Sequence, residues 1–200
     1  MLYLVRHGQT EFNAHKRWQG HVDSPLTARG IDQANSVATK LRELLGPQET
    51  RIVSSPLMRA QATASIIARG LRVRDGIELD PRLMEVRMGS WDGLTDAEIE
   101  DRSPGARKGM AAGEWFFHSP DGETYPDMLR RVNEALRDIK DHGSAVTVIV
   151  CDGVTGRIIR GLHAGLQKST MLDLEAPQDA VFALGDSGCI DAISCVPSAP

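Results

Sequence analysis

The sequence predicts an α/β fold in which a largely parallel sheet is covered by helices on both faces. Short apolar segments, typical of buried strands, alternate with longer segments whose apolar residues recur at helical spacing. The clearest strand is Ala-Val-Thr-Val-Ile-Val at residues 145–150, and Leu-Tyr-Leu-Val at residues 2–5 forms another. Strands that alternate with helices assemble into parallel sheets, which need cover on both faces.

The boundaries of the other elements come from apolar periodicity and from stop signals. Gly46-Pro47 ends the first long helix, and Gly143 and Gly165 end the later ones. Residues 73–83 are predicted to be extended and to lead into Glu85. The predicted strands are 2–5, 51–54 and 145–150, with a terminal hairpin of 181–184 and 189–194, and the predicted helices are 27–45, 57–68, 125–142 and 154–163.

Length and composition predict a single domain over residues 1–200. The net charge of −4 predicts no general attraction to nucleic acid or to an anionic membrane surface. The longest apolar stretch, 145–151, is too short to cross a bilayer, and the chain opens on a strand rather than on a signal peptide. Three cysteines without metal-ligand spacing favour free thiols in a reducing cytoplasm.

Residues 92–124 are predicted to form a cap insertion over a functional site. Within them, residues 94–122 are rich in glycine and are predicted to be irregular, with an aromatic run at 115–117 followed by His118, which is a candidate to approach the site. The alternative is a surface excursion that buried aromatic side chains hold in place.

Arg6, His7 and Gly8 follow directly after the first predicted strand. Ligands of open α/β sheets bind beyond the carboxyl ends of the strands, so His7 is displayed where chemistry occurs. An imidazole can attack phosphorus, while a guanidinium holds anionic oxygens with its fork of donors. This pair therefore favours phosphoryl chemistry.

Further motifs follow in a fixed order, and together they resemble the histidine phosphatase superfamily, which includes the cofactor-dependent phosphoglycerate mutases. The resemblance extends from residue 2 to about residue 194 and implies a three-layer α/β/α sandwich. The matching stations are Arg6-His7-Gly8-Gln9-Thr10-Glu11-Phe12-Asn13, Gln19-Gly20, Asp23-Ser24-Pro25-Leu26-Thr27, Ser54-Ser55-Pro56-Leu57-Met58-Arg59-Ala60, Glu85, and Gly89-Ser90-Trp91-Asp92-Gly93.

The resemblance also implies roles for individual residues. His7 is the residue that is phosphorylated on a ring nitrogen, Arg6 and Arg59 bind the phosphoryl oxygens, and Glu85 protonates the leaving oxygen. Fixed positive charge around the transferred group is what this chemistry needs. The resemblance implies no metal and no organic cofactor, and a small phosphorylated metabolite as partner, with a homodimer left open. The expected substrate-binding residues are Asn13, Gln19, Gly20 and Gly153.

Asp152 departs from the family pattern, which places a second histidine before Gly153 as a donor to the phosphoryl group. At an effective dielectric of about 20, a carboxylate roughly 4 Å from a phosphoryl charge is opposed by about 4 kcal/mol per unit charge. Three hypotheses follow: catalysis is impaired, the carboxyl stays protonated and donates, or the site serves a metal or a cationic ligand. A structural alternative is that Asp152 caps the helix that follows it.

These observations favour a phosphomonoester phosphatase that acts through a phosphohistidine at His7 and is weakened by Asp152. The short span between Trp91 and Tyr125 favours a phosphatase, since the family's mutases carry a longer insert there. The alternatives are a non-catalytic phosphate-binding protein and a phosphoglycerate mutase-type phosphotransferase.

Overall fold

The structure, a computed structural model, describes residues 1–111 and 113–195. Its centre is a six-stranded sheet in the order β3-β2-β4-β1-β5-β6. The four strands β3, β2, β4 and β1 run parallel, and β5 and β6 add an antiparallel hairpin beside β1. The strands are β1 Leu2–Arg6, β2 Arg51–Ser54, β3 Glu78–Leu79, β4 Thr147–Cys151, β5 Ala180–Leu184 and β6 Ile190–Ser194.

Helices cover both faces of this sheet, which confirms the three-layer α/β/α sandwich with a largely parallel sheet. One face packs Leu4 and Ile149 against α5 and α6, and the other packs Val5 and Val148 against α2 and α3. Adjacent residues of one strand enter opposite layers because side chains alternate along a strand. The helices of the described residues are α1 Glu11–Ala14, α2 Ala28–Leu45, α3 Met58–Leu71, α4 Asp96–Arg102, α5 Tyr125–Asp141, α6 Gly153–Ala164 and α7 Lys168–Leu172.

The predicted terminal hairpin and the four predicted long helices are confirmed within a few residues at each end. The prediction of irregular backbone over 94–122 is wrong in part, because α4 lies within it. Thr95 and Glu98 form a reciprocal capping box at the start of α4. The extended segment 73–83 is also shorter than predicted, since it holds only β3 and a 3₁₀ turn at Pro81–Leu83.

The sheet positions the site by aligning strand ends. β1 and β4 are parallel neighbours, with Arg6 beside Cys151, and the His7 amide donates to the Cys151 carbonyl at 3.0 Å. His7 and Asp152 therefore leave the same edge of the sheet side by side. No helix within residues 1–111 and 113–195 is long and apolar enough to span a bilayer.

Candidate active site

A cavity of about 540 Å³ lies beyond the carboxyl ends of β1 and β4. All nine site residues predicted from the sequence line it, although they come from six separate stretches of the chain. They are Arg6, His7, Asn13, Gln19, Gly20, Arg59, Glu85, Asp152 and Gly153.

His7 is buried, and both of its ring nitrogens face oxygen. Nδ1 lies 2.8 Å from the carbonyl oxygen of Gly8, which can only accept, so Nδ1 carries a proton. Nε2 lies 3.3 Å from Oδ1 of Asp152. A carboxylate oxygen also only accepts. This arrangement therefore satisfies both nitrogens only when the ring is an imidazolium.

Asp152 is 1% exposed and makes its closest contact with Arg59, whose Nε donates to Oδ1 at 2.5 Å. Burial favours the neutral acid, but the Arg59 guanidinium and His7 outweigh it and hold the pKa of the Asp152 carboxyl below its usual range. Asp152 is thus a carboxylate at neutral pH, which argues against the protonated-donor hypothesis. The capping hypothesis is wrong as well: Asp152 occupies the position before α6, but its side chain makes no capping bond there.

Arg59 is nearly saturated by protein acceptors. Besides Asp152, Nη1 donates to the Val22 carbonyl at 3.1 Å and to Asp23 at 2.8 Å, and Nη2 donates to the Gly20 carbonyl at 2.7 Å. Burial lowers the pKa of Arg59, but Asp152 and Asp23 outweigh burial and raise it. Four of its five N–H donors are therefore used within the protein, and one remains for a phosphoryl group in this arrangement.

Arg6 and Arg157 are placed differently. Arg6 donates through Nη1 to the Ala176 carbonyl at 2.5 Å, but its buried Nε has no partner among the described residues. Burial lowers the pKa of Arg6, as expected for a cation removed from water. Arg157, on the first turns of α6, also has a buried Nε without a partner in the described part of the chain. These two arginines hold the donors that an anion in the cavity can use.

Glu85 caps α6 in place of Asp152. Its carboxylate accepts from the amides of Val154 at 2.9 Å, Thr155 at 3.2 Å and Val86 at 3.0 Å. A carboxylate at a helix N-terminus satisfies free amides and interacts favourably with the helix dipole. Glu85 is thereby fixed at the cavity wall, although it comes from a loop far from α6 in sequence.

The four expected substrate-binding residues line the cavity but are bound mainly to the protein itself. Asn13 closes the capping box of α1 and accepts from Gln178 at 3.0 Å, and Gln19 accepts from Ser24 at 3.1 Å. Gly20 has a φ of +51°, and a Cβ there would overlap Asp92. Its carbonyl holds Arg59, so Gly20 supports the arginine; direct substrate contact by these residues stays a prediction.

Sequence reasoning missed several cavity residues. Arg157 follows Gly153 by four residues, so helical spacing places both on one face of α6, and that signal was available. Lys16, Arg17, Trp18, Phe116 and Gln178 also line the cavity. Trp18 packs against Phe116 at a ring-centroid distance of 5.2 Å, so the predicted cap segment contributes an aromatic wall. His118 is exposed and does not line this cavity.

No cluster of three potential metal ligands occurs within residues 1–111 and 113–195. The cavity contains an imidazole, five basic side chains, two of which are arginines with an unpartnered Nε, and three carboxylates. Such a set can bind an anion and transfer a proton or a phosphoryl group.

Comparison with known proteins places this geometry in a family. The model of the histidine phosphatase superfamily (branch 1) matches residues 2–185. A probable phosphoglycerate mutase GpmB of Escherichia coli O1:K1 is 35% identical over 175 residues, which are 88% of this chain and 76% of that protein.

Solved structures of similar fold agree with this family assignment. Bacillus stearothermophilus YhfR superposes with a TM-score of 0.81 at 28% identity, over 96% of this chain and 95% of that one. A mycobacterial glucosyl-3-phosphoglycerate phosphatase complexed with VO3 superposes with a TM-score of 0.78 at 27% identity, over 96% of each chain. Mutase and phosphatase both name enzymes that act on phosphorylated compounds. Because the family model matches nearly the whole chain and a relative is 35% identical to it over 175 residues, the chain belongs to the histidine phosphatase superfamily (branch 1).

Proposed function

We propose that this protein is a phosphomonoester phosphatase that acts through a phosphohistidine on His7 and is weakened by Asp152. The observation that carries the proposal is the convergence of His7, Arg6, Arg157 and Glu85 on one cavity at the ends of β1 and β4. A nucleophile, fixed cations and a carboxyl group are the parts that phosphoryl transfer to histidine and then to water needs.

In the first step, the lone pair of His7 Nε2 attacks phosphorus and the bond from phosphorus to the ester oxygen breaks. The alcohol leaves with a proton from Glu85, which must enter this step in its acid form rather than as the carboxylate that caps α6. In the second step, water attacks the phosphorus of the phosphohistidine while Glu85 takes a proton from that water. The N–P bond then breaks and phosphate is released. Arg6 and Arg157 stabilise the charge on the phosphoryl oxygens throughout.

Asp152 opposes this cycle in two ways. Its carboxylate oxygen Oδ1 lies 3.3 Å from Nε2, beside the lone pair that must attack phosphorus. It also adds negative charge and an acceptor where a donor would stabilise the phosphoryl oxygens. The ion pair with Arg59 offsets part of this charge.

The test compares the parent with Asp152→His and Asp152→Asn on an aryl phosphate. We expect Asp152→His to raise kcat/KM by about two orders of magnitude or more, as for restoring one donor to a charged transition state. Asp152→Asn should recover part of that gain. His7→Ala is the control and should abolish both turnover and acid-labile phosphate. An Asp152→His variant no faster than the parent, or a His7→Ala variant as active as the parent, would falsify the proposal.

A second candidate is a protein that binds phosphate without turnover, and the buried contact of Asp152 with both Arg59 and His7 favours it. Trapping of radiolabelled phosphohistidine separates the two functions. Phosphate bound without any label on His7 would identify the non-catalytic protein.

A mutase-type phosphotransferase is a third candidate, because the relative that is 35% identical is named a probable phosphoglycerate mutase. Following phosphoglycerate by phosphorus NMR distinguishes migration of the phosphoryl group from its release to water. For either activity we infer a small phosphorylated metabolite as substrate. We also infer a cytoplasmic location, with which the three free cysteines are compatible.

A further inference from the structure

Three buried polar atoms around the cavity have no hydrogen-bond partner within the described residues. Two are donors, Nε of Arg6 and Nε of Arg157, and the third is an acceptor, Oδ2 of Asp152. All three residues line the cavity, and Asp152 is 1% exposed. A buried polar group without a partner is costly, so a ligand that satisfies all three gains affinity from each.

The partners already present leave Oδ2 for a ligand. Oδ1 of Asp152 takes both protein contacts, from Arg59 Nε at 2.5 Å and from His7 Nε2 at 3.3 Å. The second oxygen, Oδ2, is an acceptor without a donor among the described residues, and a donor on a ligand would satisfy it. The arginine donors require the opposite, an anionic oxygen.

A fully ionised oxyanion satisfies only two of these three atoms. Its oxygens suit the arginines, but against Oδ2 they place one acceptor opposite another, which is repulsive. A phosphoryl group that keeps one proton meets the whole pattern, because its P–O⁻ oxygens accept and its P–OH group donates.

We propose that the cavity selects oxyanions that carry a proton, so that it binds the monoanion of a phosphate group and rejects sulfate. The proposal rests on the proposed function only in taking this cavity as the phosphoryl site. It identifies the form of the substrate as the monoanion, with its hydroxyl bonded to Asp152.

Several charged or ionisable groups surround Asp152. His7 and Arg6 approach from β1, Arg59 from α3, and Cys151 precedes Asp152 on β4. Asp152 itself stays ionised at neutral pH because of Arg59 and His7.

Two further charged groups share the cavity, Arg157 from α6 and Glu85 from the loop that follows the 3₁₀ turn at Pro81–Leu83. The charges of these groups act on the affinity for phosphate and for sulfate. Sulfate has no proton to lose near neutral pH, so the pH dependence of its affinity reflects the charges of the protein alone. The ratio of phosphate affinity to sulfate affinity therefore reports the effect of the proton on phosphate.

The experiment is calorimetric titration of the whole protein with inorganic phosphate and with sulfate, at about pH 6 and about pH 8, which bracket the loss of the phosphate proton. We expect the parent to bind phosphate at least about a hundredfold more tightly than sulfate at the lower pH, since a site with a buried acceptor rejects ligands that lack the donor. The ratio of phosphate to sulfate affinity should fall about tenfold at the higher pH. Asp152→Asn, whose amide donates, should bring the two affinities within about threefold.

Equal affinity of the parent for phosphate and sulfate, or a ratio that Asp152→Asn leaves unchanged, overturns the proposal while leaving a phosphate site intact. Failure of both anions to bind overturns the proposal and the phosphate site together. The comparison within the parent needs no variant, so a poorly folded Asp152→Asn protein does not remove the test. Turnover plays no part, so loss of the phosphatase function is detected separately.

Discussion

Asp152 is the residue on which this site depends. A single oxygen, Oδ1, holds Arg59 at 2.5 Å and faces His7 at 3.3 Å, so one side chain fixes the positions of two residues expected to bind and attack phosphate. Removing one member of a buried ion pair leaves the other uncompensated, which is why such pairs resist single substitution. Asp152 thereby holds Arg59 and His7 in one arrangement, which under the proposed function is less suited to catalysis.

The effect of Asp152 on stability should depend on pH. Its pKa is lower in the folded protein than the unfolded value of about 3.9. The ionised carboxylate therefore adds stability that is fully present above that value and is lost as pH falls through the folded-state pKa. Urea unfolding should show Asp152→Asn about 1–3 kcal/mol less stable than the parent at neutral pH, with the difference shrinking below about pH 4.

The exposed carboxylate Asp101 provides the control. Asp101→Asn should change the free energy of unfolding by less than about 0.5 kcal/mol at either pH. A deficit in Asp152→Asn that stays constant down to about pH 3 would mean that the Asp152 carboxylate gains nothing from ionisation in the folded state.

Most members of the site could be predicted from the sequence, but their contacts could not. The motif order identified His7, Arg59, Glu85 and Asp152, and all four line one cavity. The capping rule failed for Asp152 because it considers only local partners. Glu85 takes the helix amides from a distant loop, and Arg59 takes the Asp152 carboxylate, and neither contact has a local sequence signal.

At the scale of elements, the N-terminus of α6 is the part that brings the site together. Glu85 caps its first amides, Gly153 begins it, and Arg157 projects from the same face into the cavity. The Cβ that Gly153 lacks would lie 3.4 Å from Nε of Arg6. That contact is sterically acceptable, so the glycine relieves no clash, but a Cβ there would stand directly beside the Arg6 donor.

Gly153→Ala should therefore separate stability from anion binding. Alanine is the better helix former by up to about 1 kcal/mol, so the melting temperature should stay level or rise. The added methyl would cover the Arg6 donor, and vanadate affinity should fall by about tenfold, as for the loss of one charge-assisted hydrogen bond.

Gly156→Ala on the same helix is the matched control for this prediction. Its Cβ would meet only Cys151 and Leu4, at 3.6 and 3.8 Å, away from the cavity lining. This variant should share any gain in stability and should keep the parent's vanadate affinity. Equal affinities in all three proteins would show that Arg6 Nε does not contact the anion.

Element prediction succeeded where apolar periodicity was long and failed where it was short. Helices α2 and α5 bury five or six residues each along one stripe, which the sequence displays directly. Helix α4 buries only Ile99, so its one sequence signal was the capping pair of Thr95 and Glu98. Strand β3 lies within the segment 73–83 that was predicted to be extended, but it has only two residues, both exposed, so no apolar pattern indicated its bounds.

At the scale of the whole molecule, charge is distributed unevenly. The chain has a net charge of −4, yet the cavity is lined by five basic residues and three acidic ones. A cleft lined mainly by one sign of charge concentrates ligands of the opposite sign, and salt screens the exposed part of that attraction. The overall charge therefore repels anions weakly while the cavity attracts them.

Arg157 allows this local field to be tested, because it is a cavity cation whose Nε has no described partner. Arg157→Gln should weaken vanadate binding by about tenfold at low salt, as for one charge-assisted hydrogen bond. It should also lessen the fall in affinity between about 0.02 and 0.3 M salt, since one attracting charge is gone. Arg74→Gln makes the same change of net charge at an exposed residue outside the cavity lining. If the two variants bind vanadate alike, net charge rather than cavity geometry governs anion binding; a loss confined to Arg157→Gln assigns the attraction to the cavity.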